Sequence, residues 1–424
     1  MRIAVVGLGH IGLPLAVQYA SRGHDVIGCD INQRIVDAIG NAQSPHDDEQ
    51  ALVDRVPELV AAGRLRATTH TSEGVRDAEV VVVIVPVVVD ARREIDFGPI
   101  DAATRDIAAG LQPGTLVIYE TTLPVGTTRD RFGPMLAEGS GLTLDTDLFL
   151  AFSPERVLVG RVFLDLRRYP KIVGGTSVES TRRATEFYRS VLDEGTQVQA
   201  VANAETAEMT KLAETTYRDV NIAYANELAR YAARRGIDVL EVIGAANSQP
   251  YSHIHLPGVG VGGHCIPVYP HFLFNGDPSL RIPPLAREIN EEMAGWAVDL
   301  AEETVGSLKG EPVLILGVGY RADVREDAFS SAFRLRDELR AVGARVYAHD
   351  PYFDDEHLRK LGFEPYDLAA PLPVKVAMLQ AGHAVYRDLT AASLPGLELF
   401  VDGRNALDPA QLAGGEVRYV GIGH

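Results

Sequence analysis

Two places in this chain combine residue types and spacing suited to chemistry. The first is Leu256-Pro257-Gly258-Val259-Gly260-Val261-Gly262-Gly263-His264-Cys265, where four glycines in six residues precede a thiol. Glycines let backbone amides approach a ligand, and a cysteine placed after them can be delivered to a reacting carbon as a covalent nucleophile. The second is Gly7-Leu8-Gly9-His10-Ile11-Gly12, which follows the β-branched run Ile3-Ala4-Val5-Val6 and opens a helical pattern. Such glycines permit a tight turn and close approach to a pyrophosphate on the helix N-terminus, while Asp30, ending the next β-run, binds ribose hydroxyls. Its carboxylate repels a 2′-phosphate, so NAD is expected over NADP, with Arg34 as the nearby feature that speaks against this. Pro86, interrupting the apolar run Val80–Val89, is grouped with the same cofactor site. Cys29 is expected to be a small buried hydrophobe at a strand end.

These residues need a scaffold, and the chain supplies a βαβ rhythm. Ile3–Val6, a helix over Leu13–Arg22 and Asp25–Asp30 are followed by strands predicted at Val80–Val85, Leu116–Glu120 and Leu148–Ser153. This alternation indicates parallel strands with crossover helices in one doubly wound sheet. The whole run Val80–Val89 reads as a buried strand, too short to span a bilayer. From Ala204 to Arg235 neither Gly nor Pro intervenes, and Met209, Leu212, Ala213, Val220, Ala223 and Leu228 fall at helical spacings. A helix this long bridges domains and offers a dimer face. A second helix is expected over Pro284–Leu308. Strands at Pro312–Gly317, Ala344–Ala348, Val374–Leu379 and Leu397–Val401, with a helix at Ala332–Val342, then repeat the pattern. The expected fold is α/β: two Rossmann-like doubly wound domains joined by a helical central domain with a long helix. Boundaries are expected at 1–200, 201–308 and 309–424. Gly317-Val318-Gly319 lacks a third glycine in place, so it is read as a tight turn without its own dinucleotide.

Bulk properties remove other classes. At 424 residues the chain exceeds one hydrophobic core. With 58 acidic against 40 basic residues the net charge is −18, which disfavours nucleic-acid and anionic-membrane surfaces. Two cysteines make no disulfide framework and lack zinc-type spacing, so no metal and a reducing compartment are expected. No basic-then-apolar leader precedes the strand at Arg2–Val6, and a cytoplasmic chain is expected.

Along essentially its whole length the sequence resembles the UDP-glucose/GDP-mannose dehydrogenase family. The segments that carry the resemblance are Gly7 to Gly12 with Asp30, Thr121-Thr122-Leu123-Pro124-Val125-Gly126-Thr127-Thr128, and Ser153-Pro154-Glu155-Arg156-Val157-Leu158. The remaining ones are Thr206 to Leu212, Arg218 to Glu227, Gly260 to Ile266 and Asp402-Gly403-Arg404-Asn405. The resemblance implies oxidation of a nucleotide-sugar C6 alcohol to a carboxylate, with two hydrides passed to two NAD molecules. It implies that Cys265 forms a thiohemiacetal and then a thioester, and that Lys211 stabilises the developing oxyanion. Thr122 then positions a water near the reacting carbon and cofactor, and Glu155 assists hydrolysis as a general base. Arg156, Lys211, Arg218, Asn221, Gly260, Gly262 and Arg404 are the substrate-binding residues it suggests, with Arg404 reaching a diphosphate. A homodimer or higher homo-oligomer is expected as well.

Several readings stay open at this level. Asn221 and Asn226 with Glu227 either shape the sugar pocket or cap interhelical contacts. His264 either lowers the thiol pKa or contacts the sugar. Three positions depart from the family pattern: Tyr269 and Thr215 replace the usual Asp and Asn, and Arg325-Glu326-Asp327-Ala328-Phe329-Ser330 loses an arginine for which Arg321 or Arg325 would substitute. The runs around Glu155 and Cys265 favour the UDP-N-acetylmannosamine branch, with UDP-N-acetylglucosamine or UDP-glucose as alternatives. A catalytically silent protein that binds NAD and a nucleotide sugar is the alternative of another class.

Overall fold

The computed structural model describes residues 1–46, 49–90, 93–412 and 417–423. Two compact units divide the chain, Met1–Glu214 and Thr215–His424. The boundary falls inside a helix, Ala204–Ala233, which the absence of Gly and Pro allows to run for 30 residues.

The first unit is built on strands β1 (Arg2–Val6), β2 (Asp25–Cys29), β3 (Leu65–Thr68) and β4 (Val80–Val83), a short ladder of β5 (Val88–Val89) and β6 (Ile95–Asp96), then β7 (Leu116–Tyr119), β8 (Phe149–Phe152), β9 (Lys171–Gly175) and β10 (Val198–Ala200). Every residue of β4 and β7 is buried, as a sheet covered on both faces requires. Among the described residues the main sheet has the order β10-β9-β8-β7-β4-β1-β2-β3. Pairing is parallel from β3 to β8. β1 and β4 are neighbours where the strand order reverses, the crevice at which open α/β sheets bind ligands. The register sets Val6 level with Cys29 and Val83, Val83 with Tyr119, and Tyr119 with Phe152. The segments that begin at Gly7, Asp30, Ile84, Glu120 and Ser153 therefore leave the sheet along one edge.

Two features differ from the expected pattern. The apolar run Val80–Val89 is not one strand: β4 ends at Val83, Pro86 is exposed, and Val88–Val89 pairs antiparallel with Ile95–Asp96. A proline has no N–H to give to a ladder, so the run breaks there. The sheet is also not wholly parallel, because β9 runs antiparallel to β8 and β10 is parallel to β9.

In the second unit β11 (Pro312–Leu316), β12 (Arg345–His349), β13 (Glu364–Pro365), β14 (Val376–Leu379), β15 (Leu399–Asp402) and β16 (Arg418–Gly421) form a parallel sheet in the order β13-β12-β11-β14-β15-β16. This is the Rossmann strand order. The helical middle and this sheet share one core, in which Ala225, Ile243, Met293 and Ala297 pack with Ile315, Leu335, Met378 and Val401. The helix Ile282–Val305 is tied to Ala204–Ala233 by Arg287, whose guanidinium grips the buried Asp219 carboxylate at 2.7 and 2.5 Å. The turn after β11 is closed from within: Asp350 Oδ2 accepts the N–H groups of Val318 and Gly319, and His383 Nε2 lies 3.1 Å from the same oxygen. The turn is thus held by the protein's own carboxylate, as the Leu8 amide is held by Asp30 in the first unit. No helix among the described residues is long and apolar enough to cross a membrane.

Candidate active site

The turn from β1 into the helix Gly12–Ser21 separates two uses of glycine. Gly7 has φ +96°, and a Cβ there would come within 2.6 Å of the Ile84 carbonyl oxygen; at Gly12 it would come within 1.8 Å of the Gly7 oxygen. Both are required by the chain's own backbone. Gly9 is different, because a Cβ there would meet nothing within 4 Å. Its missing side chain leaves open space beside a helix whose N-cap residue, Ile11, makes no side-chain cap. A positive helix end next to open space fits a pyrophosphate, so the residues present suit NAD. Asp30 belongs to the same turn: its Oδ2 accepts Leu8 N–H at 2.7 Å and its Oδ1 accepts Asn32 N–H. His10 stacks near His46, whose Nε2 lies 2.9 Å from Leu8 O. Arg34 follows in the next helix, where its N–H is capped by Asn32. Cys29 is buried behind this turn, and burial pushes its thiol pKa up to about 12, which keeps it protonated.

Further along the same edge the first unit brings Lys211 and Glu155 together. Lys211, buried on the long helix, donates from Nζ to the Glu155 backbone carbonyl at 2.7 Å. The Glu155 side chain points elsewhere, with Oε1 accepting the Arg156 N–H and Oε2 lying 2.7 Å from Lys171 Nζ. Thr122, also buried, follows β7, and the neighbouring Thr121 hydroxyl pins the segment to the Val85 carbonyl. The same loop is fastened to the long helix by Glu208, which accepts the N–H groups of Gly126 and Thr128 and the Thr128 hydroxyl. Arg156 turns its guanidinium to Glu214 and to the Pro170 carbonyl.

In the second unit the glycines before Cys265 have a packing reason. A Cβ on Gly260 would lie 2.8 Å from Ser331 Cβ, one on Gly262 2.8 Å from Tyr320 Cβ, and one on Gly263 3.0 Å from the Tyr320 ring. The loop thus lies flat against the segment that follows β11. Gly263 N–H is received by the Ala328 carbonyl, and Arg404 holds the Gly260 carbonyl at 2.8 Å while donating to Gln380 O and Ser331 Oγ. Burial pushes the Arg404 pKa down to about 10. Cys265 itself is half-buried, and its carbonyl accepts the N–H groups of Val268 and Tyr269, at the start of the helix Tyr269–Phe274.

For Asn221 and Asn226 the hydrogen bonds side with structural contacts. Asn221 exchanges bonds with the backbone at His253 and His255, while Asn226 accepts Gly258 N–H and donates to Asn290. Glu227 faces solvent. His264 Nε2 lies 3.5 Å from the Glu326 carboxylate. Arg218 carries a buried Nε, and Thr215 a buried hydroxyl, with no hydrogen-bond partner among the described residues. An unpaired buried donor is costly, so each calls for a partner that the described residues do not supply.

The functional neighbourhood holds residues that sequence reasoning passed over: Glu120, Lys171, Tyr19, Tyr188 and Glu208. A signal was available at Lys171, a lysine beside the apolar run Ile172-Val173, since a buried ammonium demands carboxylates.

Three domain matches cover most of the chain. The NAD binding domain of the UDP-glucose/GDP-mannose dehydrogenase family matches residues 1–192, its central domain residues 205–292 and its UDP binding domain residues 314–409. The chain belongs to this family. It is accordingly an NAD-dependent nucleotide-sugar dehydrogenase. Among its relatives, the UDP-N-acetyl-D-mannosamine dehydrogenase of Escherichia coli (strain K12) is 42% identical over 311 residues, 72% of each chain. The enzyme of that name from Pyrococcus horikoshii is 36% identical over 362 residues, 84% of this chain and 85% of the relative. A solved structure of the UDP-D-ManNAc dehydrogenase from Pyrococcus horikoshii aligns with 100% of this chain and 99% of its own, at TM-score 0.88 and 31% identity.

Proposed function

We propose that this dehydrogenase oxidises UDP-N-acetylmannosamine at C6 to the uronic acid, withdrawing four electrons through a covalent adduct on Cys265. The observation that carries the reading is the gathering of Lys211 and Glu155 at the strand edge that bears the dinucleotide turn. The relatives named for the mannosamine substrate support the choice of sugar.

Gly7, Gly9, Gly12 and Asp30 would hold NAD, which supplies the hydride acceptor for each oxidation; His10, Ile11, Arg34 and Pro86 belong to its surroundings. The Lys211 ammonium offsets negative charge on the C6 oxygen as the alcohol gives its proton to water and its hydride to the cofactor. The Cys265 sulfur then adds to the aldehyde carbon as the thiol proton passes to the oxygen, and loss of a second hydride from that carbon and of the hydroxyl proton to water leaves a thioester. Glu155 takes a proton from the water that attacks the thioester, with Thr122 orienting that water; cleavage of the C–S bond returns the thiol and releases the carboxylate. Arg156, Arg218, Asn221, Gly260, Gly262 and Arg404 are the residues proposed to frame the sugar nucleotide. For Asn221 and Arg404 this is done through the backbone they hold. Two NADH per UDP-N-acetylmannosamine, with a stable carboxylate product, is the expected stoichiometry. UDP-N-acetylglucosamine and UDP-glucose should turn over at least about tenfold less efficiently. One NADH per sugar would overturn the four-electron route.

The enzyme is further proposed to be a cytoplasmic homodimer, its free thiol kept reduced. Support for self-association comes from Tyr217, Tyr224 and Tyr231, spaced by seven residues on one face of the long helix and each more than half exposed. Aromatic side chains repeated at that spacing make a seam for a second helix of the same kind. Light scattering on the eluting peak should give twice the chain mass, and Tyr224→Glu should halve it; a wild-type monomer at micromolar concentration contradicts the dimer.

A further inference from the structure

The reversal of one strand sets Lys171 and Glu120, which take no part in the steps above, beside Glu155. Because β9 runs against β8, with Gly174 level with Phe152, its first residue enters the sheet at the edge from which β7 and β8 leave. Counting three residues back from Gly174 and three on from Phe152 brings Lys171 opposite Glu155. The ammonium lies 2.7 Å from Glu155 Oε2 and 2.6 Å from Glu120 Oε2, and the Lys171 and Glu120 side chains are 5% and 0% exposed. Glu120 is held in turn by the Tyr188 hydroxyl at 2.6 Å and the Tyr19 hydroxyl at 3.2 Å, and Lys171 Nζ stands 4.9 Å from the centre of the Tyr188 ring.

Burying one cation with two carboxylates is costly unless each is fixed by hydrogen bonds, and here each is. We propose that Lys171, anchored by Glu120, is a positioning residue for Glu155: it holds the Glu155 carboxylate in one orientation and in its ionised form for the hydrolytic step. The inference rests on the reading of Glu155 as the general base. Glu120 acts as the counterweight that sets how much of the Lys171 charge Glu155 receives.

The other groups facing the cluster agree with this division. Tyr19 from the first helix and Tyr188 from the helix Val178–Val191 both face Glu120. Burial, with Glu120 nearby, lifts their pKa values well above the ordinary tyrosine value, so both stay protonated and donate. Burial likewise raises the Glu120 carboxyl to about 7 against the pull of Lys171. Glu155 feels the same burial, yet the Lys171 charge and hydrogen bonds with Glu120, Lys171 and the Arg156 amide hold it below the usual carboxylate value, and a glutamine at 120 can still donate the bond that Glu120 gives. The Arg156 guanidinium is engaged with Glu214, and Lys211 meets Glu155 only at its backbone carbonyl.

The test is the pH dependence of kcat with UDP-N-acetylmannosamine and NAD. Lys171→Met removes the charge that favours ionised Glu155, so the acid limb should move up by about one pH unit or more. Glu120→Gln removes the competing carboxylate and leaves Lys171 to Glu155, so the acid limb should move down. Lys171→Arg should keep the wild-type limb. A purely structural role would lower the rate without displacing the two limbs in opposite directions. Should Lys171→Met fail to fold, Glu120→Gln still decides, since an unmoved or raised limb overturns the proposal. Glu155→Gln separates the two readings. If it leaves turnover unchanged, the assignment of Glu155 as base fails and this inference with it; if it slows turnover while the limbs of the other variants stay put, this inference alone falls.

Discussion

Cys265→Ser should bind NAD as the wild type does and form the carboxylate at least about a thousandfold more slowly, because a serine hydroxyl at neutral pH is a far weaker nucleophile than a cysteine sulfur. Retained affinity follows from the fold. The dinucleotide turn is shaped by contacts of its own, Gly7 and Gly12 against Ile84 and the Gly7 oxygen and Asp30 with the Leu8 and Asn32 amides, none of which involves Cys265. The loop should also keep its shape, since the contacts that hold it run through Gly260, Gly263 and the Cys265 carbonyl and leave the sulfur out. Titration of nucleotide fluorescence and quantification of the uronic acid by mass spectrometry measure the two halves. Unchanged acid formation would remove the covalent route.

The second large effect is expected at Lys211. Its ammonium is buried and fixed to the Glu155 carbonyl, so it stands as a preoriented positive charge in a site short of water. Fixed charges of this kind act on the transition state more than on the ground state. Lys211→Met should therefore lower kcat by about 10²- to 10³-fold in the first hydride transfer, with KM for the sugar nucleotide moving by less than about tenfold. Stopped-flow NADH absorbance isolates that step. A loss confined to KM would make Lys211 a binding group alone. The methionine keeps the length of the side chain, so the helix should survive the change. The Glu155 carbonyl, relieved of its donor, gives a check on position: if Glu155 has swung away, the acid limb described for Lys171→Met should move here too.

Much of this molecule is legible in its sequence because the relevant physics is local. The turn Gly7–Gly12 could be read because φ +96° at Gly7 and the contact of Gly12 with the Gly7 oxygen leave no other residue acceptable. The long helix could be read because a 30-residue stretch without Gly or Pro has no cheaper conformation. Boundaries shifted by up to three residues: the long helix ends at Ala233 where Arg235 was expected, the helix expected to reach Leu308 ends at Val305, and β14 begins at Val376 where Val374 was expected. Helix ends fray and carry a weak signal.

Sequence by itself determined the two Rossmann-like sheets, the dinucleotide turn with Asp30, the long helix and Cys265 behind its glycine run, each written in residues that are neighbours along the chain or repeat at a fixed period. Lys211, Thr122 and Glu155 came forward only through the family resemblance. Only the tertiary structure decided how those candidates are supported. Glu120, Glu155 and Lys171 are far apart in sequence and meet because β9 reverses, and strand direction is a property of the assembled sheet with no local code. The glycines before Cys265 look like a ligand loop in sequence. In the fold, Tyr320 and Ser331 account for their missing side chains, because close packing between distant segments leaves no room for a Cβ.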